Sequence, residues 1–512
     1  MQSIIPHIMP ASAVAVIGAG PSGLAAARWL AQHGFEPVVF EASGRVGGQW
    51  NTGAEHSATW PGMRTNTSRV MTVFSDLDYP EGTATYPRHD QVQAYLEAYA
   101  EKFGLARCIR FNSAVELLDR APGHGWLVRS RQNGLEKAEI FVHVVVATGR
   151  FVETSMPEIP GLESFVGSLG ICHTKDYRGA TVYRGKSVLM AGCSISALEI
   201  ASDIAFGGAA GVLASYRKQR YVLPKLIAGV PTEHVMFTRA AAMAARMLPP
   251  DILAAGMRDK VVSVSGSPAQ FGAFEPDANI FAAGITQSQH FLPAVAEGRI
   301  GVKPWIERID GRTVHFADGS RAAPDGIVFG TGYKLSLPWL APEIGRLLAI
   351  DGGHIDLHEH TFHPDLPGLA FLGLYDAVGP TFPVLELQAR WVAYALSGIR
   401  SMPSREAMQQ GIEQARAGRG GPTGIPMNML AMLFAGNAGV EPRLGNWRQI
   451  ERALLAGPLS PASFRLDGPD AVADAAERVK AAARAFGCIT SEDYTSEEGL
   501  MRAIVLPNMQ AA

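Results

Sequence analysis

Cysteine is scarce in this chain. Its 512 residues include four, Cys108, Cys172, Cys193 and Cys488, placed singly with no CxxC pair. That spread excludes a disulfide framework and a cysteine-built zinc site, and makes a reducing compartment the expectation. Charge is also thin, at 18% of residues and a net −3. Such a balance offers no electrostatic footprint for nucleic acid or for an anionic membrane surface. A long apolar run is missing too. Residues 420–440 carry no charge, but Gly, Pro and Asn break up the stretch. They cut the run to about a dozen apolar residues where a spanning helix needs about 20, so a buried helix with loops is expected. No basic region precedes the first apolar segment, so no signal peptide is expected.

What is present is a globular composition, 47% hydrophobic, in a chain long enough for about two to four domains. The organising stretch is residues 12–50. Residues 13–17 form a short run rich in β-branched residues, suited to a buried parallel strand. Gly18-Ala19-Gly20-Pro21-Ser22-Gly23 follows, a G-x-G-x-x-G turn opening into a helix over 24–33. Gly18 allows the tight turn, Gly20 lets backbone approach a pyrophosphate, and Gly23 lets the helix pack closely on the strand. The helix N-terminus then faces the phosphates. A second strand over 36–40 ends at Glu41, about 20 residues beyond the glycines, where an acid can bond a ribose hydroxyl. Gly47 and Gly48, then Gln49 and Trp50, suggest another close backbone approach to the same ligand. The combination looks like FAD-binding proteins. Arg45 reads equally well as a cofactor contact or as a plain surface residue.

A weaker copy lies further on. Residues 187–191 form another apolar strand, followed by Gly192-Cys193-Ser194-Ile195-Ser196-Ala197 and a helix over 198–206. Ser194 and Ala197 replace the second and third glycines, and both are small enough for a phosphate to come close. Where the first motif has its acid, this one runs into Tyr216-Arg217-Lys218-Gln219-Arg220. An acid repels a 2′-phosphate and an arginine attracts it, so the first site reads as FAD and the second as NADPH. A solvated basic turn is the alternative for Arg217. Two strands end alike, in Ala147-Thr148-Gly149 and in Gly330-Thr331-Gly332, which suggests two nucleotide-binding sheets.

Residues 60–79 read as a loop and 90–102 as an amphipathic helix. Residues 225–300 read as irregular apart from an Ala- and Met-rich helix over 240–247. A strand over 369–374 and a helix over 385–396 are expected to rejoin the first domain; Gln388 of that helix counts among the cofactor-binding candidates. Residues 415–424 read as a linker, and 470–486 as a helix.

Over nearly its whole length the chain resembles class B flavin-dependent monooxygenases, and among them the flavin-containing monooxygenase family. The resemblance rests on the order of the FAD motif, Thr65-Asn66-Thr67-Ser68, a linker motif, the NADPH motif and Thr331-Gly332-Tyr333. The family's linker signature is F-x-G-x-x-x-H-x-x-x-Y. Phe165, Gly167, His173 and Tyr177 are present, with the Gly-to-His spacing two residues longer. Residues 456–466 resemble the tail of the animal branch, but the chain lacks that branch's apolar, membrane-associating end. A soluble, cytoplasmic enzyme is therefore expected.

The resemblance implies an α/β fold of two Rossmann-like dinucleotide-binding domains with a mostly helical C-terminal extension. FAD would be held by 1–155 with 331–415, NADPH by 156–330, and 416–512 would pack on the body. It implies N- or S-oxygenation of amines or sulfides, with NADPH and O2, through a C4a-hydroperoxyflavin. Asn66 would hydrogen-bond near the reacting flavin position; from its residues alone the stretch reads as an Asx turn. Thr65, Thr148, Thr331 and Gly332 would contact cofactor, and His173 would position the domains. Ketone oxidation by a Baeyer–Villiger enzyme is the runner-up. A flavin-binding protein without turnover stands behind it, and a disulfide reductase is disfavoured by the lack of paired redox cysteines. Apolar tail segments suit either a homodimer interface or packing on the body.

Overall fold

The computed structural model describes residues 5–421 and 424–506. Pro422 and Thr423 of the expected linker, and the last residues of the polar tail from 507 onward, lie outside them.

Two parallel five-stranded sheets dominate the fold. In the first, the strands run Leu369–Phe371, His143–Val146, Ala13–Ile17, Glu36–Phe40 and Ile109–Arg110 from edge to edge. Every residue of Ala13–Ile17 is buried, as a strand covered on both faces must be. Alternation then sorts its side chains. Val14 and Val16 face a layer containing the helices Pro21–Gln32 and Phe382–Leu396. Ala13, Ala15 and Ile17 face a second apolar layer with Phe141, Leu337 and Leu348. The strand Leu369–Phe371 thus returns to the first sheet over 200 residues after that sheet's other members.

The second sheet runs Gly170–His173, Gly326–Phe329, Ser187–Ala191, Gly211–Ser215 and Ile300–Lys303, again all parallel. The chain crosses between the sheets twice, and the crossings lie side by side: Glu153–Thr154 pairs antiparallel with Tyr333–Lys334. Gly167, in the lengthened linker signature, packs under its neighbour: a Cβ there would fall 2.4 Å from the Phe165 ring. A turn closed by the Gly170 N–H donating to the Gly167 carbonyl at 2.9 Å takes up the extra length before His173.

Residues 225–300 are more helical than their sequence suggests. They hold Thr232–Met236, Arg239–Met247 and Pro250–Ser265. The last, 16 residues long, shows little periodicity because Ala254 and Val261 are its buried residues. The C-terminal extension contributes Met427–Ala438, whose apolar face is buried, with Ala475–Arg484 and Ser496–Val505. It packs on Phe382–Leu396 and Arg239–Met247. Among the described residues no helix is long and apolar enough to cross a membrane.

A buried charge cluster ties this extension to the first domain. The guanidiniums of Arg28, Arg390 and Arg465 stand 4.2, 4.8 and 5.2 Å from the Trp29 ring. Arg465 donates to Ser75 Oγ at 2.6 Å and to Asp76 at 2.7 Å. Glu386, held by the Ser75 N–H at 2.7 Å, has its carboxyl pushed up by burial, with Asp76 adding to the effect. Removing one cation leaves these acids with less compensation, Arg28 at 3.2 Å remaining the partner of Asp76. Arg465→Ala is expected to cost about 3–5 kcal/mol, read as a lower denaturation midpoint. Ala at an exposed arginine such as Arg346 is expected to leave the midpoint in place.

Candidate dinucleotide and oxygenation site

The carboxyl ends of the first sheet converge on one helix start. The Gly18 N–H donates to the Phe40 carbonyl at 2.8 Å, Ala147 N–H to Ile17 at 2.9 Å, and Leu372 N–H to Val146 at 2.8 Å. Gly18 has φ +103°, and a Cβ on Gly23 would lie 1.8 Å from the Gly18 carbonyl oxygen. Only glycine fits there. A Cβ on Gly48 would stand 3.0 Å from the Gly20 Cα, so two backbone segments meet at this point.

The helix Pro21–Gln32 begins with Pro21 in its first turn. Its N-cap Gly20 supplies no side-chain cap, and no acid lies in its first turn. Its free N–H groups form an anion site. Ser22 is buried beside Gly373. Glu41, 4% exposed, accepts from the Ala19 N–H at 2.8 Å and from Ser43 N–H and Oγ at 2.8 and 2.7 Å. A carboxylate has about four acceptor positions, so Glu41 braces the loop and retains capacity for a ribose hydroxyl. Gln49 is half-buried and Trp50 buried beside this cradle.

Two hydroxyls suit a ligand here. Thr65 Oγ1 and Thr148 Oγ1 are buried with no hydrogen-bond partner. Asn66 sits on a pinned loop. The Thr65 N–H donates to Pro87 at 2.9 Å, Thr67 and Thr72 share a hydroxyl bond of 2.8 Å, and Ser68 is buried. Asn66 itself is half-buried, and its amide has no hydrogen bond among the described residues. These features fit a bound FAD.

The second site repeats the geometry with a substitution. The Gly192 N–H donates to Ser215 at 2.9 Å and the Gly330 N–H to Ala191 at 2.8 Å. Ser194 caps the helix Ile195–Phe206 without a side-chain bond, and that helix also lacks an acid in its first turn. Ser196 is exposed at the same end. The Ala197 methyl lies 2.6 Å from where a Cβ on Gly330 would be. Arg217 is exposed and stacks over Trp305 at 4.7 Å. With Lys218, Phe274 and Glu275 it lines a groove of about 470 Å³. Thr331 Oγ1 donates to the Ser155 carbonyl at 2.5 Å, and Gly332 has φ +84°, so both fasten the domain crossing. His173 ends its strand with Nδ1 accepting from the Lys175 N–H at 3.1 Å and its ring edge 5.2 Å from Tyr333; burial pushes its pKa down. Its Nε2 is buried at that crossing with no hydrogen-bond partner.

Two candidates are engaged elsewhere. The Arg45 guanidinium is exposed and bonded to Glu97 at 3.0 and 2.7 Å, which fits the surface reading. The Gln388 amide is used within the protein. It accepts from the Gly373 N–H at 3.0 Å and donates to His360, Thr361 and Phe371 at 3.1, 2.8 and 3.0 Å. With both its ends bonded within the protein, Gln388 positions the end of the strand Leu369–Phe371.

The sequence reading missed Glu233 and His234, which close on Ser68 from 165 and 166 residues away. The Pro-Thr-Glu start of a short helix was the one local signal, and it carries no information about Ser68.

The family model described as flavin-binding monooxygenase-like matches residues 11–485. The chain is 27% identical to mouse flavin-containing monooxygenase 5, covering 96% of this chain and 94% of that one. It is 30% identical to rat dimethylaniline monooxygenase [N-oxide-forming] 2, covering 78% and 76%. By fold it is similar to S-allyl-L-cysteine S-oxygenase from Allium sativum, with TM-score 0.62, 22% identity and coverage of 98% and 99%. It is likewise similar to NADP+-bound cyclohexanone monooxygenase from Rhodococcus sp. Phi1, with TM-score 0.62, 17% identity and coverage of 85% and 98%.

The close packing at the second site makes its own prediction. Gly330→Ala brings two methyls into one space and is expected to destabilise by about 1–3 kcal/mol. Adding Ala197→Gly should recover most of that loss. Thermal unfolding of the single and double variants checks it; equal melting of both would show that the contact is not limiting.

Proposed function

The chain belongs to the flavin-binding monooxygenase-like family, and we propose that it oxygenates soft nucleophiles, amines or sulfides, using NADPH and O2. FAD and NADPH are the cofactors of this monooxygenase. In this reading 1–155 with 331–415 hold FAD, and 156–330 hold NADPH. The bound flavin supplies the redox chemistry, accepting hydride and activating O2.

The residues bind, orient and exclude water. The helix start at Pro21 and the Gly18–Gly23 turn take the FAD pyrophosphate, Glu41 a ribose hydroxyl, and Thr148 and Thr65 donate their free hydroxyls. Gly192, Ser194, Ser196 and Ala197 seat the NADPH pyrophosphate, and Arg217 meets the 2′-phosphate. Asn66 directs its amide to the reacting region. One observation carries the reading: an unpaired, half-buried amide on a loop fixed at both sides. Such an amide can orient a reactive group without donating a full charge, and a fixed site keeps water out.

The N-oxide-forming rat relative and the garlic S-oxygenase support the choice of soft nucleophiles. The likeness to cyclohexanone monooxygenase keeps ketone oxidation as the second reading. Four unpaired thiols suit a reducing, cytoplasmic setting.

The test follows NADPH oxidation and H2O2 together, with thioethers, tertiary amines and ketones. Oxygenation of sulfides or amines with little H2O2 is expected. Turnover confined to ketones would replace the reading with Baeyer–Villiger chemistry. In the same assay Arg217→Gln is expected to raise the KM for NADPH roughly tenfold or more, as loss of a charge-assisted bond should. The KM for NADH should stay put; equal shifts for both would place Arg217 outside the 2′-phosphate site.

A further inference from the structure

The segment 225–300 follows the second glycine motif in sequence, yet it grips the Asn66 loop. Glu233, 1% exposed, accepts from the Ser68 N–H through Oε1 at 2.5 Å. His234, fully buried, shares a hydrogen bond of 2.9 Å with Ser68 Oγ. Both hold one residue, two positions from Asn66.

The grip is itself braced. The ring of His234 meets Phe486 of the C-terminal extension at 5.3 Å, and Arg69, next to Ser68, lies over the same ring at 5.1 Å. Tyr86 Oη donates to the Lys225 carbonyl at 2.5 Å, and Lys225 Nζ pairs with Glu199 of the helix Ile195–Phe206 at 2.7 Å. A continuous line of contacts therefore runs from the Asn66 loop to the second dinucleotide site. Four buried polar atoms along it have no partner: Glu233 Oε2, His234 Nδ1, Thr65 Oγ1 and Glu199 Oε1. A helix of five residues does not need a buried carboxylate and a buried imidazole to pack. Apolar residues would cost less there.

We infer that Glu233 and His234 are positioning residues for oxygenation, clamping Ser68 so that the Asn66 amide stays in register with the two dinucleotide sites. The inference rests on the proposed role of Asn66. Burial pushes the Glu233 carboxyl up and the His234 imidazole down to about 4. The imidazole is therefore neutral at ordinary pH and acts as a hydrogen-bonding strut.

The test compares Glu233→Met, which keeps volume but cannot accept, with Glu233→Gln, which keeps an acceptor oxygen. Both are made in the flavin-loaded full chain, beside Asn66→Ala. The first readout is hydrogen exchange over 60–72. Glu233→Met should speed exchange at Ser68 roughly tenfold or more, as loss of a charged acceptor implies, and Glu233→Gln should stay near the parent. The second readout is the share of consumed NADPH returned as H2O2. It should rise roughly threefold or more in Glu233→Met and in Asn66→Ala, because a misplaced site admits water, and far less in Glu233→Gln. A purely structural role would lower stability and leave that share alone.

Unchanged exchange in Glu233→Met overturns the clamp. So does equal behaviour of Met and Gln, or faster exchange with an unchanged H2O2 share. If Asn66→Ala raises the share and Glu233→Met does not, the clamp fails and the reading of Asn66 stands. If the parent already returns all its NADPH as H2O2 with every substrate, the oxygenation reading fails, and the exchange readout still decides the clamp.

Discussion

The structure depends on how closely a helix can start against the strand before it. At the first site the approach is so tight that one methyl at Gly23 would overlap the Gly18 carbonyl. That contact aims the helix N-terminus at the ends of four strands and leaves its N–H groups free. The rest of the first domain holds this point in place. Glu41 braces the turn from one side, Gly48 approaches it from another, and Gln388 secures the returning strand end beside Ser22.

The second site places a methyl where the first has none, and the close contact falls on a different neighbour. Ala147 and Gly330 occupy matching places, each with its N–H on the last carbonyl of its sheet's lead strand. At the first site the strand end carries a methyl, in Ala147, and the helix carries none, at Gly23. At the second the helix carries the methyl, in Ala197, and the strand end, Gly330, carries none. Read alone, Ala197 looks like a degraded motif. Read with Gly330, it is a methyl seated against a strand end that carries no side chain. Gly23 is required by the Gly18 carbonyl, whereas the Ala197 methyl has room because Gly330 carries no side chain.

This explains what was legible in the sequence and what was not. The strands, both glycine turns and the helix over 90–102 announce themselves through local periodicity and turn residues, and the uncharged stretch 420–440 reads as a buried helix from its composition. The helix Pro250–Ser265 escaped because two buried residues leave no amphipathic stripe. Arg45 stands near a cofactor motif in sequence and Gln388 lies in a helix expected to rejoin the first domain, but their partners, Glu97 and Gly373, Phe371 and Thr361, are set by tertiary packing. Proximity along the chain to a motif says little about where a long side chain points.

The least legible feature bears most on chemistry. In the proposed reading the loop carrying Asn66 must be held from outside itself, because Thr- and Ser-rich segments have little apolar surface of their own to bury. The chain meets that need with Glu233 and His234 from the segment that follows the NADPH motif, backed by Phe486 from the extension. Elements from three parts of the sequence thereby meet at one loop. Each of those parts is ordinary by composition, and it is their meeting that leaves Asn66 with an amide unclaimed by the protein. A site that must keep water from a reactive oxygen species gains from such bracing, since small shifts of the loop would open it. The polar clamp costs desolvation that an apolar contact would not, and in exchange it holds Ser68 by two directional bonds, which is what fixing one residue in register requires.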